Sequence, residues 1–500
     1  MKLGELIATN KGSAGELEAM RVTGPLDLEI EGIAADPARI RPGYLFAALP
    51  GLRRSGVAAV PAALRSGAVA VLVRQGDDIP VPAGVAVLSA ANPRLATAQL
   101  SARLVGGVQP ELVVAVTGTC GKTSTTVFAR QLWTLLGHRA ASIGTVGLVS
   151  PDWECEIGLT TPWPFEMHPG MAYLVEDGVD RLAIEASSEG LDQHRLDAVP
   201  LAAAAFTNLS RDHLDYHRTM GAYLAAKLRL FSELLPAGAA AVVNADSDIA
   251  GEIVAIARRR GHRLIRFGRN GEEIRLLRQT QGADGQVLEL KVFGSDVAVR
   301  FPIVGRFQAE NLQAALGLVI GTGADPEPTL RMVERLAGVP GRAEYVVATP
   351  SGGAVYVDYA HKPGALEAVL AAFRTQTEGR LSVLFGCGGG TDPGRRREMG
   401  EIAARLADRV IVTDDNPRRE DPALIRAEIL KAAPGALEIA GRAEAIRAAM
   451  RGLRSGDTLV LAGKGHETYQ IVAGIKYPFV DAAVAREVAA ELAGESFVPE

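Results

Sequence analysis

The segment 112–136 constrains the fold more than any other, because it passes without interruption from an apolar run through a glycine-rich turn into a helical pattern. Residues 112–116 are apolar and mostly β-branched, which is typical of a buried strand, and residues 125–136 follow a helical pattern. Glycines let backbone N–H groups approach phosphate oxygens, and the start of a helix favours anions. The segment therefore predicts a phosphate-binding loop within an α/β fold.

The loop between this strand and helix supplies the groups that phosphate binding requires. Its lysine can reach terminal phosphates, and the hydroxyl group after the lysine can hold Mg²⁺. The pattern is not a strict Walker A motif, because Val116 stands where that motif has glycine. A plain glycine-rich turn is the alternative, and the flanking strand and helix disfavour it. The residues predicted to bind a nucleotide here are Gly118, Thr119, Cys120, Gly121, Lys122, Thr123 and Ser124.

Composition and charge exclude several classes of protein. The 500 residues are 48% hydrophobic and 22% charged, as in an ordinary globular chain of roughly two to four domains. The 53 basic and 58 acidic residues form no long block of one sign. We therefore expect neither a nucleic acid nor a membrane as a partner.

The cysteines and the apolar runs indicate the compartment. The three cysteines form no CxxC pair, which disfavours a disulfide framework and a cysteine-ligated zinc site. The chain starts without a signal-peptide pattern, and no run approaches the roughly 18 apolar residues of a membrane span. We therefore expect a cytoplasmic protein.

The distribution of apolar runs divides the chain into three expected domains. Short runs and a helix-like stretch between about residues 33 and 88 indicate a small α/β unit, which ends in a linker at 106–110. The middle part includes a polar, turn-rich stretch at 268–299 that we interpret as an insertion. The expected domains are 1–108, 109–338 and 339–500.

Strand-like and helix-like segments alternate regularly after residue 342. The apolar runs lie at 354–359, 381–386, 409–413, 437–439 and 458–462, and the helical patterns at 364–374, 396–406, 422–433 and 442–452. This alternation predicts a parallel, doubly wound α/β sheet. Ligands of such sheets bind at the edge where the carboxyl ends of the strands meet.

Polar motifs follow four of these predicted strands, at 358–361, 386–390, 415–418 and 463–467. An arginine beside aspartate, asparagine and glutamate suits a zwitterionic amino acid, because the cation meets the carboxylate and the acids meet the ammonium group. Each motif alone is also typical of a turn. Four of them at one edge favour a binding site.

Carboxylates, hydroxyls and histidines cluster between residues 185 and 217. Hard cations prefer oxygen ligands, and nucleotide-bound Mg²⁺ takes only one or two of them from the protein. The alternative is that the histidines cap helices or satisfy core carbonyls. The phosphate loop favours the metal site.

Lys227 is one of only nine lysines in a chain that otherwise uses arginine, and it ends a helical pattern at 220–227. An exposed lysine whose stem covers apolar surface is the simpler interpretation. An amine, unlike a guanidinium group, can be deprotonated and modified. Lys227 is therefore a candidate for chemistry that arginine does not perform.

Taken together, these motifs resemble those of the Mur ligase family, and most closely its MurE branch, over essentially the whole chain. The matching stretches are 117–124, 160–162, 185–188, 191–195, 206–217, 339–342, 358–361, 415–418 and 463–470. The resemblance implies a three-domain α/β ligase. An N-terminal domain binds a UDP-linked substrate, a central P-loop-type domain binds ATP, and a C-terminal Rossmann-like, doubly wound domain admits an amino acid.

The implied activity is an ATP-dependent amide ligase that adds meso-diaminopimelate to UDP-N-acetylmuramoyl-L-alanyl-D-glutamate through an acyl phosphate, in peptidoglycan precursor synthesis. ATP, Mg²⁺ and small-molecule substrates are the implied partners, and we expect a monomer. A divergent ligase that joins an amine to a different carboxylate is one alternative. A nucleotide-binding scaffold without catalysis is another, and the retention of Lys122, Glu185, His213 and Lys227 argues against it.

The resemblance also implies a role for each matching residue. The catalytic group is Lys122, Glu185, His213 and Lys227. The magnesium ligands are Thr123, Glu185, His213 and carbamylated Lys227. The nucleotide is also bound by Asn311, Arg342, Asp358 and His361. The muramoyl peptide is bound by Thr160, Thr161, Ser187, Gln193 and Arg195. The incoming amino acid is bound by Thr391, Asp415, Asn416, Pro417, Arg418, Gly463 and Glu467.

The sequence departs from the family pattern mainly where substrates are recognised. Pro37 stands at the serine expected to contact the uridine nucleotide, and Thr391 at the arginine expected to contact diaminopimelate. Loss of that cation would cost about 2–5 kcal/mol if the charge pair were buried. The other departures are Ser55 for aspartate, Cys120 for asparagine, Trp163 for an acidic residue and Glu189 for histidine.

Overall fold

The computed structural model describes residues 1–8, 16–51, 56–282, 285–374, 377–390 and 394–494. The strands of these residues form an N-terminal sheet, a long central sheet, a C-terminal sheet and a separate hairpin. Among the described helices, none has the length and apolar character needed to span a bilayer.

The N-terminal sheet is built from short strands in the order β1-β5-β4-β3-β2, with β1 antiparallel to β5 and the other pairs parallel. Its strands are β1 Arg21–Thr23, β2 Gly32–Ala34, β3 Tyr44–Ala47, β4 Ala68–Arg74 and β5 Ala86–Ala90. Its helices are α1 Leu3–Ile7, α2 Glu16–Ala19, α3 Val60–Arg65 and α4 Pro93–Leu104. Asn92 accepts the first N–H groups of α4. In the first turn of this helix Arg94 donates to Gln193, which follows the helix Ser188–Asp192 in the central part of the chain.

The central sheet has the strand order β16-β15-β14-β13-β12-β11-β6-β10-β7-β8-β9. Its strands are β6 Leu112–Thr117, β7 Ala140–Gly144, β8 Gly147–Val149, β9 Glu154–Cys155, β10 Arg181–Glu185, β11 Ala203–Phe206, β12 Ala240–Asn244, β13 Arg263–Gly268, β14 Ile274–Gly282, β15 Gly285–Val292 and β16 Ser295–Phe301. Its helices are α5 Lys122–Leu135, α6 Pro164–Glu176, α7 Ser188–Asp192, α8 Leu214–His217, α9 Met220–Arg229, α10 Ala250–Arg260, α11 Arg306–Gly321 and α12 Pro326–Arg331.

Strand β6 lies in the middle of this sheet and is apolar throughout because both of its faces are covered. Val114 and Val116 pack on the side of α5 and α11, and Val113 and Ala115 pack on the side of α6 and α10. Successive side chains of a strand point to opposite faces, so helices on both sides require a run without polar residues. This packing fixes the loop after β6 at the edge of the sheet.

The stretch 268–299 was expected to be a turn-rich insertion, and this expectation is wrong. It forms most of strands β14, β15 and β16, which extend the central sheet in antiparallel pairs. In β15 the side chains of Leu288, Leu290 and Val292 are buried, and polar residues alternate with them. One solvated face gives such strands a polar composition, which hid the two-residue period.

The C-terminal sheet confirms the predicted doubly wound pattern, with strand order β17-β18-β22-β19-β20-β21. Its strands are β17 Glu344–Ala348, β18 Ala354–Asp358, β19 Leu381–Phe385, β20 Arg409–Val412, β21 Leu437–Glu438 and β22 Thr458–Ala462, and the hairpin strands are β23 Tyr469–Val472 and β24 Ile475–Pro478. Its helices are α13 Pro363–Arg374, α14 Gly394–Leu406, α15 Pro422–Ala432, α16 Arg442–Met450 and α17 Asp481–Ala493.

Parallel pairing brings the carboxyl ends of β18, β22, β19 and β20 to one edge of this sheet. Helices α13, α14 and α15 cover one face, and α16 and α17 cover the other. The edge strand β17, which the sequence did not predict, runs antiparallel to β18. A buried ion pair between Arg442 and Asp481, with N–O distances of 2.7 Å, joins α16 to α17 next to the end of β22.

Candidate active site

Two glycines of the loop after β6 have no substitute, because backbone and neighbours both exclude a side chain. Gly118 has a φ of 145° and Gly121 a φ of 85°, both in the region that favours glycine. A Cβ atom at Gly118 would clash with the hydroxyl of Thr207, and one at Gly121 with the amide oxygen of Asn311. These two positions therefore hold the loop in a turn ahead of helix α5 that only glycine allows.

Lys122 is the first residue of α5, and its side chain folds back over the loop. Its Nζ donates to the carbonyl oxygens of Gly118 and Thr119, each at 2.9 Å. Burial lowers the pKa of this lysine below its ordinary value. Asn208 fixes the loop from the next strand, since its Oδ1 accepts the N–H of Cys120 at 2.9 Å. The loop is thus preformed, with an ammonium group at its mouth.

A cavity of about 390 Å³ opens in front of this loop, between the central and C-terminal sheets. It brings together most of the residues predicted to bind the nucleotide, metal and muramoyl peptide. Those lining it are Thr119, Cys120, Gly121, Lys122, Thr123, Ser124, Thr160, Glu185, Ser187, Arg195, His213, Lys227, Asn311, Arg342, Asp358 and His361. Gly118, Thr161 and Gln193 lie behind this lining and are bonded to Lys122, Ser187 and Arg195, respectively.

Glu185 ends strand β10, and its carboxylate is oriented by a residue that the sequence did not indicate. The backbone N–H of Thr145 donates to Oε1 at 2.8 Å, and the hydroxyl of Thr145 donates to Oε2 at 3.2 Å. Within the described residues, no group of three or more His, Cys, Asp or Glu side chains is arranged to hold a metal ion.

Lys227 lies near the end of α9 with its side chain turned inward, so the exposed-lysine interpretation is wrong. The residue is 1% exposed, and its Nζ donates to the carbonyl of Gly118 at 2.7 Å. The same nitrogen lies 4.4 Å from the centre of the Tyr223 ring. Burial, and then the charge of Lys122, hold the pKa of Lys227 well below its ordinary value. The site therefore favours a neutral amine at this position.

His213 contacts one residue that follows the central sheet's strand β10 and one that follows strand β18 of the C-terminal sheet, Glu189 and Lys362. Its Nδ1 is 3.0 Å from the Glu189 carboxylate, one of the departures from the family pattern. Its Nε2 is 3.0 Å from Nζ of Lys362, which comes from the C-terminal sheet and also lies 3.6 Å from Asp212. Lys362 was not predicted as a site residue, and it makes a direct contact across the cavity.

The nucleotide-binding candidates from the C-terminal sheet lie at the end of β18. Burial raises the pKa of Asp358 to about 6, and its Oδ2 accepts the N–H of Ala343 at 2.7 Å. Burial lowers the pKa of His361 to about 3, and its Nδ1 is 2.8 Å from the carbonyl of Tyr359. The guanidinium group of Arg342 lies 4.7 Å from the Tyr359 ring. With a pKa of about 3, the imidazole of His361 is neutral at physiological pH.

The residues predicted to hold the muramoyl peptide form one hydrogen-bonded group at the end of β10. The hydroxyl of Thr161 donates to the carbonyl of Glu185 at 2.7 Å and accepts the N–H of Ser187 at 3.0 Å. Thr160 lies 3.3 Å from the hydroxyl of Thr145. Arg195 donates to the carbonyl of Thr161 at 3.0 Å. A cation and several hydroxyls thus line one wall of the cavity.

A second cavity of about 200 Å³ lies at the carboxyl edge of the C-terminal sheet. Of the predicted amino-acid-binding residues, those lining it are Asp415, Asn416, Arg418, Gly463 and Glu467. Pro417 lies between two of them, and Thr391 lies outside the described residues. Burial raises the pKa of Asp415 to about 6. Tyr359 and His361 line this cavity as well as the larger one, so the two cavities are neighbours.

Lys464 organises the acidic side of this second cavity. It is fully buried, and its Nζ lies 3.0 Å from the carboxylate of Glu467 and 3.9 Å from that of Asp415. The amide of Asn416 donates to Glu467 at 2.8 Å. Arg418 lines the same cavity and donates to the carbonyl of Gly389 at 2.9 Å. The pocket therefore carries both signs of charge.

Sequence reasoning missed Thr145, Lys362 and Lys464 as parts of the site. Lys464 lies within the predicted motif at 463–467, and Lys362 directly follows the motif at 358–361. Both belong to the small set of lysines, so the scarcity of lysine was a usable signal. Thr145 carried no motif, but it follows strand β7, whose carboxyl end lies beside that of β10. The rule that ligands meet strand ends would have included it.

Comparisons with known proteins agree with this arrangement. Residues 116–319 match the Mur ligase middle domain, and residues 341–465 match the Mur ligase glutamate ligase domain. The chain is 48% identical to a UDP-N-acetylmuramoyl-L-alanyl-D-glutamate–2,6-diaminopimelate ligase of Rhizobium meliloti, over 97% of this chain and 99% of that protein. It is equally similar, at 48% over 99% of this chain and all of the relative, to the ligase of that name from Bradyrhizobium diazoefficiens.

Solved structures give the same result. A structure of a UDP-N-acetylmuramoyl-L-alanyl-D-glutamate–2,6-diaminopimelate ligase superposes with a TM-score of 0.69 at 29% identity, covering 98% of this chain and 99% of that one. The MurF ligase of Thermotoga maritima shares the fold, with a TM-score of 0.62 at 19% identity, covering 94% and 99% of the two chains. The chain therefore belongs to the Mur ligase family and, within it, to the MurE branch.

Proposed function

We propose that the chain is an ATP-dependent ligase that joins meso-diaminopimelate to a carboxylate of UDP-N-acetylmuramoyl-L-alanyl-D-glutamate, in peptidoglycan precursor synthesis. The observation that carries this proposal is the contact between the two cavities through Tyr359 and His361. One cavity contains the phosphate loop, and the other contains charges of both signs. An activated carboxylate in the first would face an amine held in the second.

The proposed reaction has two steps, phosphorylation of a carboxylate and then formation of the amide. A carboxylate oxygen of the muramoyl peptide attacks the γ-phosphorus of ATP, and ADP leaves. The amine of diaminopimelate then attacks the acyl carbon, phosphate leaves with that oxygen, and the amine loses a proton. Lys122 neutralises charge on the transferring phosphoryl group, because such transfer depends mainly on positioning and electrostatic stabilisation. Arg195 would orient the carboxylate, and Asp358 and Asn311 would hold the nucleotide.

The donor set of the larger cavity fits Mg²⁺. Thr123 and Glu185 offer the hard oxygen ligands that this ion prefers, and Thr145 holds the Glu185 carboxylate in place. His213 and a carbamate on Lys227 would help to hold a second ion. Bound Mg²⁺ would supply neutralisation of the phosphate charge. The protein residues orient the substrates and keep the loop in its open turn.

The surroundings of Lys227 support its carbamylation. Only an unprotonated amine adds to CO₂, and burial beside Lys122 lowers the pKa of Lys227 in the required direction. The addition forms an N–C bond and releases one proton. The product carries one negative charge shared by two oxygens close to Gly118 and Lys122, where a divalent ion and an ammonium group would both stabilise it.

The departure at Thr391 favours one alternative, a related ligase with a different amine. Three other arginines line the second cavity, namely Arg395, Arg396 and Arg418. Arg396 is paired with Glu420 and Glu428, so Arg395 and Arg418 are the two that could meet the carboxylates of diaminopimelate. Arg395 is fixed by a 2.9 Å hydrogen bond to the carbonyl of His361. These cations favour diaminopimelate over an amine without carboxylates.

We also infer domain limits at 1–108, 109–338 and 339–500, a monomeric state and a cytoplasmic location. The domain limits are supported by the sheets, whose strands lie at 21–90, 112–301 and 344–462 within the described residues. The location is supported by the use of ATP as a co-substrate. A monomer is supported by both cavities being lined by residues of this one chain.

ADP release with defined substrate pairs tests the proposed function. The purified protein is mixed with ATP, Mg²⁺ and UDP-N-acetylmuramoyl-L-alanyl-D-glutamate, and each of meso-diaminopimelate, L-lysine and L-alanine is added separately. We expect diaminopimelate to give at least about a hundredfold higher kcat/KM than L-lysine, because unpaired charges in a buried site cost several kcal/mol. Faster turnover with another amine would refute the choice of acceptor, and no turnover with any amine would refute the muramoyl donor.

A further inference from the structure

Two guanidinium groups from different parts of the chain lie over the ring of Trp163. The Cζ atom of Arg195 is 4.3 Å from the centre of the indole ring, and that of Arg94 is 5.7 Å from it. Both distances are within the range of a cation–π contact. The ring also stacks on Phe165, at 6.0 Å and 9° between planes, and Phe165 packs against the core of the N-terminal sheet.

The guanidinium group of Arg195 is held by two oxygen acceptors and by its contact with the Trp163 ring. Its Nη1 donates to the carbonyl of Thr161 at 3.0 Å, and its Nη2 donates to Oε1 of Gln193 at 2.8 Å. Among the described residues its Nε has no hydrogen-bond partner, although the atom is buried. A buried donor without a partner is a group that a bound carboxylate would satisfy. Arg195 also lines the larger cavity.

Arg94 connects this arrangement to the N-terminal sheet. It lies in the first turn of α4, and its Nη1 donates to the same oxygen of Gln193 at 3.2 Å. Its Nη2 donates to the carbonyl of Pro50 at 2.5 Å. Gln193 thus accepts from both guanidinium groups, and both groups lie over the ring of Trp163. The four side chains form a clamp, defined here as Arg94, Trp163, Gln193 and Arg195.

An indole does something in this clamp that a carboxylate would not do. A carboxylate beside Arg195 would accept its N–H groups and compete with a substrate carboxylate for them. The face of an indole attracts the cation without accepting any of those hydrogen bonds. The guanidinium group of Arg195 is therefore fixed in position while its Nε–H group stays available to a carboxylate.

We propose that Trp163 is a positioning residue that aims Arg195 at a carboxylate of the UDP-muramoyl peptide and couples this cation to the N-terminal sheet through Arg94. The inference rests on the proposed function, in which Arg195 binds that substrate. Trp163 would thus raise the affinity for the muramoyl peptide without affecting ATP binding or the amine pocket.

Steady-state kinetics with two variants at one position test this role. Trp163→Leu keeps an apolar side chain and removes the aromatic face, and Trp163→Phe keeps an aromatic face. For Trp163→Leu we expect the KM for UDP-N-acetylmuramoyl-L-alanyl-D-glutamate to rise about tenfold, while the KM for ATP and the saturated kcat change less than about twofold. Trp163→Phe should restore the KM to within about threefold of the wild type.

The matched control is Trp153→Leu, which removes an indole outside the cavity. Trp153 contacts Tyr173 and donates to Asp177 at 3.1 Å, so its loss should leave all kinetic constants unchanged. Thermal unfolding of each variant checks that the fold is kept. An equal rise in both KM values, an unchanged KM in Trp163→Leu, or a phenylalanine variant as weak as the leucine variant would overturn the role of Trp163.

The test separates this inference from the proposed function. If the wild-type protein neither turns over nor binds the muramoyl dipeptide, the proposed function fails, and the proposed role of Trp163 in binding that substrate fails with it. If the wild type turns over normally and Trp163→Leu has an unchanged KM, only the positioning role fails. Equilibrium binding of the muramoyl dipeptide to the nucleotide-free protein gives a second reading, and the dissociation constant should rise about tenfold in Trp163→Leu.

Discussion

Replacing Lys122 with alanine should lower ADP release by at least about a thousandfold at saturating ATP, which is the effect of removing a preorganised group that stabilises charge in the transition state. The ammonium group of Lys122 already lies at the mouth of the loop, where it is bonded to the carbonyls of Gly118 and Thr119. Phosphate oxygens are stronger partners for it than these carbonyls. We therefore expect the residue to stabilise the γ-phosphoryl group as its charge moves.

The Lys122→Ala experiment needs separate readings for binding and chemistry. Single-turnover ADP formation measures the chemical step, and equilibrium titration with an ATP analogue measures binding, which we expect to weaken far less than the rate. Lys291→Ala is a suitable control, because Lys291 is a partly exposed residue of β15 that pairs with Asp296 outside the cavity. A Lys122→Ala variant that kept more than about a tenth of the wild-type rate would contradict the assigned role.

Replacing Lys227 with alanine should reduce activity by about a hundredfold or more, because both the carbamate and its interactions with the loop are lost. Lys227→Arg should not restore activity, since a guanidinium group is not carbamylated and stays charged. Added bicarbonate should leave both variants inactive. The expected sign of the modification is a carbamate carbon signal in the NMR spectrum of wild-type protein supplied with carbon-13 bicarbonate, and its absence from both variants.

The matched control for this residue is Lys431→Ala. Lys431 is an exposed lysine in the last turn of α15, so its loss should change neither activity nor the carbamate signal. An active Lys227→Arg variant would count against carbamylation, because a permanent cation would then suffice. A wild-type protein that is fully active without any carbamate signal would lead to the same conclusion.

The sequence predicted those parts of the site that depend on local order along the chain. The loop from Gly118 to Ser124 is continuous, and its strand and helix are adjacent in sequence. The strand ends of the C-terminal sheet were predictable because regular alternation implies parallel strands, and parallel strands share an edge. Both predictions required only local patterns, namely the spacing of apolar residues and the motifs that follow the strands.

The contacts between distant segments could not be predicted in this way. Lys362 meets His213 across 149 positions of chain, and the indole of Trp163 meets Arg94 from another sheet. Such pairs depend on how distant segments of the folded chain pack against each other, and no local sequence pattern encodes that packing. The strands β14 to β16 were missed for a different reason, since polar residues on their solvated face resembled turns.

The fate of one oxygen atom tests the central claim most directly. UDP-N-acetylmuramoyl-L-alanyl-D-glutamate labelled with oxygen-18 in its carboxylates is turned over with ATP and meso-diaminopimelate, and the released phosphate is analysed by mass spectrometry. An acyl phosphate intermediate predicts one labelled oxygen in each phosphate, because the attacking carboxylate oxygen leaves with phosphorus when the amide forms. Formation of the amide product with unlabelled phosphate would contradict the account.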